Sequence, residues 1–135
     1  YKFKFKKISW KNYYQLKPLN VIDSATNFKK NSYVNNSLMC LSFHHRKHLP
    51  IGRGGMILTN SKNKYNSLKL MRYDGRNNRI PYAKDKIKKV GYHMYMTPEQ
   101  AAHGLFLFDK LKNKSFKDTS DLDYSSLKNI EKIIK

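Results

Sequence analysis

Apolar and polar positions alternate at the start of the chain and then take on a helical spacing. Residues 1–8 read YKFKFKKI, and such alternation is the pattern of a half-buried strand. Apolar residues within 10–16 have helical spacing that ends before Pro18, since the residue preceding a proline avoids the helical conformation. A short apolar run over 19–22 stops at Asp23. The pattern predicts a strand, a helix and a second short strand.

The middle of the chain contains two compact apolar runs separated by polar segments. Residues 27–37 are rich in Asn, Lys and Ser and predict a loop or an edge hairpin. The run LMCLSF over 38–43 is typical of a strand buried on both faces. A further strand is predicted over 55–59, directly after a glycine-rich turn.

Three helices are predicted in the second half of the chain. Ser61 can cap the first helix, and Gly75 lies just beyond its end. The apolar positions of this helix are Tyr65, Leu68, Leu70 and Met71. Residues 74–90 are polar and predict a loop. Thr97, Pro98 and Gln100 form a helix start, with Thr as the cap and Pro in the first helical position.

The second helix and the end of the chain complete the predicted organisation. The apolar positions of that helix are Ala101, Ala102, Leu105, Phe106, Phe108 and Leu111. Residues 113–123 predict a polar linker, after which Asp123 caps a last amphipathic helix. The apolar face of the last helix carries Leu127, Ile130, Ile133 and Ile134. Strands and helices together predict an α/β sandwich.

The charge of the chain raises the question of nucleic acid as a partner. There are 28 Lys and Arg against 9 Asp and Glu, a formal charge of +19, and clustered cations release counterions from phosphates. Lysine supplies 23 of the 28 cations, and they are spread along the whole chain. Lys, Asn, Ile and Tyr, all encoded by A/T-rich codons, are abundant. Biased genome composition is therefore the preferred interpretation, and a small basic nucleic-acid-binding module stays as an alternative.

Other classes of protein are less compatible with the sequence. No apolar run approaches the roughly 20 residues that cross a bilayer, and lysines interrupt the start where a secretory signal would be apolar. The single cysteine, Cys40, excludes an internal disulfide. A cytoplasmic protein is expected. The 135 residues suggest one ordinary domain, yet the chain opens on a strand without Met, as expected for part of a longer protein.

The chemistry-bearing segment is the stretch SFHHRKHLPIGRGGMI over 42–57. His44, His45 and His48 are not expected to bind a metal, since neighbouring histidines on a strand face opposite sides and no carboxylate accompanies them. Lys47 follows the end of a strand and precedes a glycine-rich turn, and strand ends of α/β sheets are where ligands bind.

Three side chains near strand ends match the requirements of pyridoxal phosphate chemistry. A lysine binds the aldehyde of this cofactor, and a carboxylate keeps the pyridine nitrogen protonated. Lys47 and Asp23 are the candidates for these two roles. A hydroxyl such as that of Ser42 can donate a hydrogen bond to the phosphate.

These motifs make the sequence resemble the DegT/DnrJ-type sugar aminotransferases. The family signature S-F-x-x-x-K-x-L-x-x-G-E-G-G corresponds to residues 42–55, and the family's E-D-A-A-Q corresponds to I-D-S-A-T over 22–26. Downstream, LMRYDGR over 70–76 resembles L-R-x-H-G-R. VGYHMYMTPEQAA over 90–102 resembles V-G-Y-N-Y-R-M-T-E-x-Q-A-A. The resemblance covers about residues 19–112.

The resemblance implies a fold and a set of site residues. It implies part of the three-layer α/β/α large domain of a fold-type I pyridoxal phosphate enzyme over residues 1–112. Residues 113–135 would be the linker and first helix of a small C-terminal domain. The implied Schiff-base lysine is Lys47, and Asp23 is the implied partner of the pyridinium. The other implied cofactor-binding residues are Ser42, Thr26 and His93, with no metal.

Departures from the family pattern put the substrate specificity in doubt. Arg53 replaces the glutamate of the glycine turn, and Thr26 stands where the family has Gln or His. His93 replaces an asparagine that reaches the cofactor phosphate of the partner subunit, and Tyr95 replaces a neighbouring arginine.

The implied activity is transfer of an amino group, usually from glutamate, to a nucleotide-linked keto-sugar by a homodimer. The family's first half, with its phosphate-gripping turn, is missing from the sequence, so the chain is expected to be inactive by itself. A sugar dehydratase of the same family is the alternative, although those enzymes replace the lysine by histidine. Lys47 in register favours the aminotransferase.

Overall fold

The described part of the chain contains one five-stranded mixed sheet followed by two α-helices. A computed structural model describes the backbone of residues 4–8 and the whole of residues 13–117. The strands are β1 (Lys4–Ile8), β2 (Tyr13–Lys17), β3 (Val21–Asp23), β4 (Leu38–Ser42) and β5 (Gly55–Leu58). They lie in the sheet in sequence order. The β3–β4 pair is parallel and the other three pairs are antiparallel.

Strand β2 corrects the predicted helix over residues 10–16. Residues 13–17 are extended and pair on one side with β1 and on the other with β3. Tyr is enriched in strands, and helices shorter than about 12 residues are marginal by themselves. Pairing with two neighbouring strands therefore prevails over a helical spacing that extends over less than two turns.

The core lies on one face of the sheet. The buried side chains that form it alternate along the strands and share that face: Tyr13, Ile22, Met39 and Leu41. The loop over 27–37, predicted correctly as irregular, covers this face with Phe28, Tyr33 and Val34.

Strand β4 is less buried than the sequence predicts. Met39 and Leu41 are buried, whereas the alternate positions are only half-buried. Among the described residues, no complete layer of side chains therefore covers the second face of β4.

Both helices begin where the capping residues predict, and the first also ends where Gly75 predicts. Helix α1 spans Lys62–Arg72 with Ser61 as its N-cap, and the backbone N–H of Gly75 donates to the Leu70 carbonyl. Helix α2 spans Pro98–Leu111, with a reciprocal capping box between Thr97 and Gln100. Between the helices lies a short 3₁₀ turn, Tyr82–Lys84, in the segment predicted as a loop.

Helix α2 packs on the loop that follows β4. A Cβ at Gly104 would lie 2.6 Å from Ile51 Cδ1, so the helix backbone closely approaches that loop. The Phe108 ring lies 6.1 Å from the Phe28 ring. The predicted apolar face is otherwise open, and Leu105 is 71% exposed.

The predicted last helix, capped by Asp123, lies outside the described residues, as does most of the predicted linker. Within the described part of the chain, no helix is both long and apolar enough to cross a membrane. A mixed sheet with helices agrees with the predicted α/β class.

Candidate functional site

The parallel pairing of β3 and β4 places their carboxyl ends at one edge of the sheet. Asp23 is the last residue of β3 and pairs in register with Cys40, and Ser42 is the last residue of β4. Side chains two residues apart on a strand share a face, so Asp23, Cys40 and Ser42 lie on the same side. Strand geometry puts the Cα atoms of Asp23 and Ser42 about 8 Å apart.

Asp23 is exposed, and its carboxylate is oriented by the turn that follows it. The Ala25 backbone N–H donates to Asp23 Oδ1 at 3.2 Å. The Ser24 backbone N–H donates to the Cys40 carbonyl at 2.9 Å, which holds the end of β3 against β4. Thr26 is half-buried in the same turn. The turn keeps a negative charge at the end of the strand.

Asp23 has two cross-strand neighbours that the sequence pattern does not reveal. Tyr14 pairs with it on β2 and Cys40 pairs with it on β4, so the three side chains form a row on one face. Burial raises the pKa of the Cys40 thiol, and the nearby Asp23 carboxylate raises it further. Finding this row from the sequence would have required the registers of both β2 and β4 against β3.

Ser42 and Phe43 lead into the loop that carries Lys47. Ser42 Oγ accepts a hydrogen bond from the His44 backbone N–H at 3.3 Å. The Phe43 backbone N–H donates to the Gly54 carbonyl at 2.9 Å, and the Phe43 carbonyl accepts from the Gly52 N–H at 3.0 Å. The loop is therefore closed at its base by both backbone groups of one buried residue.

Lys47 is half-buried within this loop, directly after a tight turn. Its backbone N–H donates to the His44 carbonyl at 2.9 Å. Leu49, only 4% exposed, anchors the loop two residues later. Local desolvation of the imidazole lowers the pKa of His44, and the charges of its neighbours His45, Lys47 and Arg46 lower it further. The loop thus has a strongly positive character without help from His44.

Glycines are required in the turn that returns the chain to β5. Gly52 and Gly54 have φ angles of +108° and +90°, in the region that side chains with a Cβ disfavour. A Cβ on Gly55 would lie 2.3 Å from the Leu41 carbonyl oxygen. The glycine-rich motif therefore permits both the turn and the close approach of β5 to β4. Arg53 is exposed between these glycines.

His93 belongs to a different part of the structure. It forms a β-bridge with Tyr73 at the end of α1, and its Nδ1 lies 3.6 Å from Asp74 Oδ2. The Tyr95 ring lies 4.3 Å from the His93 ring. His93 is largely exposed there, so its predicted role in this site depends on a partner subunit.

The histidines of the loop do not assemble a metal site. In the described ranges, no three side chains of the types His, Cys, Asp and Glu approach closely enough to hold a metal ion.

Comparison with known proteins identifies the family. The model of the DegT/DnrJ/EryC1/StrS aminotransferase family matches residues 28–127, which include Ser42, Lys47 and His93, whereas Asp23 and Thr26 precede the match. No curated protein and no solved structure matched the chain. Because the family match covers well over half of the sequence, the chain belongs to the DegT/DnrJ/EryC1/StrS aminotransferase family.

Proposed function

We propose that the protein is a pyridoxal phosphate-dependent aminotransferase that moves an amino group, from glutamate, to a nucleotide-linked keto-sugar. The observation that carries the proposal is the arrangement at the ends of β3 and β4. A carboxylate (Asp23) and a hydroxyl (Ser42) share one sheet face, and Lys47 lies in the loop that follows. Membership of the aminotransferase family supports the reaction class.

The donor groups present are of the kinds that pyridoxal phosphate needs. The Asp23 carboxylate is exposed at the strand end and suits a protonated ring nitrogen. The Ser42 hydroxyl accepts one backbone N–H and still has its own proton to donate to a phosphate oxygen. The Lys47 amine lies five residues further along the chain. The residues therefore fit the cofactor.

Each side chain has a separate role in this proposal. When bound, pyridoxal phosphate supplies an aldehyde carbon that takes up amino groups and a ring that withdraws electrons. Lys47 Nζ would hold the cofactor, and after release the same nitrogen would take a proton from the carbon atom of the donor that bears the amino group and give it to the former aldehyde carbon of the cofactor. The Asp23 carboxylate would balance the charge on the ring nitrogen.

The remaining residues support binding and assembly. Thr26, in the turn after Asp23, would contact the cofactor through its hydroxyl. His93 would reach the cofactor phosphate of the other subunit of a homodimer. Residues 1–112 would belong to the fold-type I large domain and 113–135 to the start of the small domain. The parallel β3–β4 pair followed by antiparallel β5 is compatible with that assignment.

Borohydride trapping tests the role of Lys47. A longer protein that also contains the family's first half is purified, mixed with a substoichiometric amount of pyridoxal phosphate and reduced, and the modified lysine is located by peptide mapping. We expect most of the label on Lys47, whereas Lys47→Arg should lose it. Lys69→Arg is the matched control, because Lys69 is similarly half-buried on α1. A label spread over the lysines in proportion to their exposure would contradict the proposal.

The role of Asp23 is separable from that of Lys47. In a longer protein that also contains the family's first half, Asp23→Ala should still bind the cofactor but lose most of its amino transfer, because the ring nitrogen lacks its counter-charge. Lys47→Ala should lose amino transfer altogether. If Asp23→Ala transfers the amino group as fast as the parent protein, Asp23 does not have the proposed role.

A further inference from the structure

One side of helix α1 is basic along its whole length and surrounds an exposed tyrosine. Residues three and four apart are neighbours on a helix surface, and four residues of α1 with this spacing are cations or a ring: Lys62, Tyr65, Lys69 and Arg72. The sequence of α1 contains no Asp and no Glu. This side of α1, here called the basic stripe, is therefore not neutralised by its own helix.

Tyr65 lies in the middle of the basic stripe. The Lys62 ammonium lies 5.4 Å and the Lys69 ammonium 5.5 Å from the centroid of the Tyr65 ring. Both distances are close to the limit of about 6 Å for attraction between a cation and a ring, and lysine stems are flexible. The ring is 45% exposed. A base can therefore stack on Tyr65 while the two ammonium groups turn toward the phosphates beside it.

The combination of an exposed ring and a cation recurs just beyond the end of α1. The Arg76 guanidinium lies 5.2 Å from the centroid of the Tyr82 ring, which is 67% exposed. The Tyr82 hydroxyl lies 3.0 Å from the hydroxyl of Tyr73, the C-cap of α1. Tyr82 is therefore connected to the end of the helix at which Arg72 ends the basic stripe.

The placement of these cations is a separate observation from the number of lysines in the chain. Biased genome composition raises the lysine count everywhere, but it does not arrange cations on one side of a helix around a ring. Three of the five arginines of the chain lie within residues 72–79. Helix α2 shows the contrast, because its exposed Phe106 ring also has a lysine nearby, yet that helix carries Glu99 and Asp109.

We propose that the basic stripe and the Arg76–Tyr82 pair bind a single-stranded nucleic acid, with bases on the two tyrosines and phosphates against the cations. The bases of a single strand have free faces, whereas those of a duplex are stacked on one another. Exposed rings flanked by cations therefore match a single strand better than a duplex or an anionic lipid surface. This binding goes beyond amino transfer and requires neither the cofactor nor Lys47.

Fluorescence anisotropy of the intact chain tests the proposal. The probe is a labelled single-stranded oligonucleotide of about 12 nucleotides, a length typical of such sites. Inorganic polyphosphate and a duplex of the same length are the competitors. The single strand should bind roughly tenfold more tightly than polyphosphate, because only the strand has bases to stack. Equal binding of polyphosphate, or tighter binding of the duplex, would overturn the proposal.

Vesicles of phosphatidylcholine and phosphatidylserine test the other anionic partner. They should not displace the labelled strand from the protein at lipid concentrations that give the same total charge. If they do displace it, the basic stripe is a lipid-binding surface and the proposal is wrong.

Two lysine substitutions separate the basic stripe from the general charge of the protein. Lys69→Gln should reduce the steepness of the plot of log affinity against log salt concentration by about 0.7, because one phosphate contact is lost. Lys64→Gln removes the same charge from the same helix, but residue 64 lies about 100° around the helix from Tyr65. This variant should leave the steepness unchanged. The same decrease in both variants would show that only the overall charge attracts the strand.

The stacking is tested by Tyr65→Leu and Tyr82→Leu, which remove a ring without changing the charge. Each should weaken binding of the single strand roughly fivefold and leave binding of polyphosphate unchanged. Phe106→Leu is the matched control, since it removes an exposed ring that has Lys110 at 4.2 Å but lies outside the basic stripe. Circular dichroism checks that the variants are folded. If folded Tyr65→Leu binds the strand as tightly as the parent, or no more weakly than Phe106→Leu, the basic stripe is not the site.

Discussion

Replacing Gly55 by alanine would place a methyl group against the backbone of β4. The added Cβ would lie 2.3 Å from the Leu41 carbonyl oxygen, where ordinary contacts begin at 3.4 Å. The obstacle is backbone in a paired strand, so it cannot move aside as the end of a side chain does. The two strands would have to separate by about 1 Å at this position.

The loss of stability in Gly55→Ala follows from the hydrogen bonds that such a separation of β4 and β5 breaks. The Phe43 N–H to Gly54 carbonyl bond is 2.9 Å long, and lengthening it by about 1 Å takes it beyond hydrogen-bond range. Losing two or three bonds at this end of the β4–β5 pair, each about 1 kcal/mol net, lowers the free energy of unfolding by about 2–3 kcal/mol. For a chain of this length the melting temperature should fall by about 5–10 °C.

Thermal unfolding followed by circular dichroism measures this loss, and two other glycines provide matched controls. The Cβ added by Gly52→Ala meets no atom within 4 Å. This substitution should therefore lower the free energy of unfolding only through the strain of the positive φ, by about 1–2 kcal/mol. The Cβ added by Gly104→Ala meets the movable end of the Ile51 side chain. The gain in helix propensity, about 1 kcal/mol, offsets part of the cost of that close contact. A Gly55→Ala protein as stable as its parent would refute the reasoning.

Two further predictions concern titratable groups. Because burial and the Asp23 carboxylate raise the pKa of the Cys40 thiol, Asp23→Asn should accelerate alkylation of Cys40 by iodoacetamide about twofold at neutral pH. An unchanged rate, or the same acceleration in Asp109→Asn, would contradict the cross-strand contact. Burial lowers the pKa of His48 below its ordinary value of 6.5, so the unfolded chain binds the proton more readily. The free energy of unfolding, measured by urea titration, should therefore fall as the pH drops through about 6.5. The fall should be less steep in His48→Gln. If the free energies of unfolding of the two proteins depend on pH in the same way, His48 does not have this role.

Much of the fold could be predicted because its signals are local. Capping residues marked the starts of both helices, and the apolar run of β4 was bounded by polar segments on each side. Strand β2 could not be predicted in this way, since its conformation depends on pairing with β1 and β3. The exposed apolar side chains of α2 could not be predicted either, because helical periodicity specifies a face and not what covers it.

The candidate site could likewise be predicted only where its signals are local. Asp23 and Ser42 were expected at strand ends, and the parallel register places them on one face. That register also brings Cys40 beside Asp23, which no spacing along the chain indicates. His93 was expected to reach the cofactor phosphate of a partner subunit, and within its own chain it lies beside Tyr73. That role stays a prediction. The catalytic role of Lys47 stays a prediction.

The two hydrogen bonds of Phe43 have a consequence for how this chain can diverge. Because this residue joins Gly54 and Gly52 through its own N–H and carbonyl, the ends of the loop are fixed independently of what lies between them. Substitutions at the exposed positions 44–46 can therefore accumulate without shifting the register of β4 and β5. Natural variants that differ in substrate should concentrate their changes there, just before Lys47, while Phe43, the buried Leu49 and the two glycines stay the same.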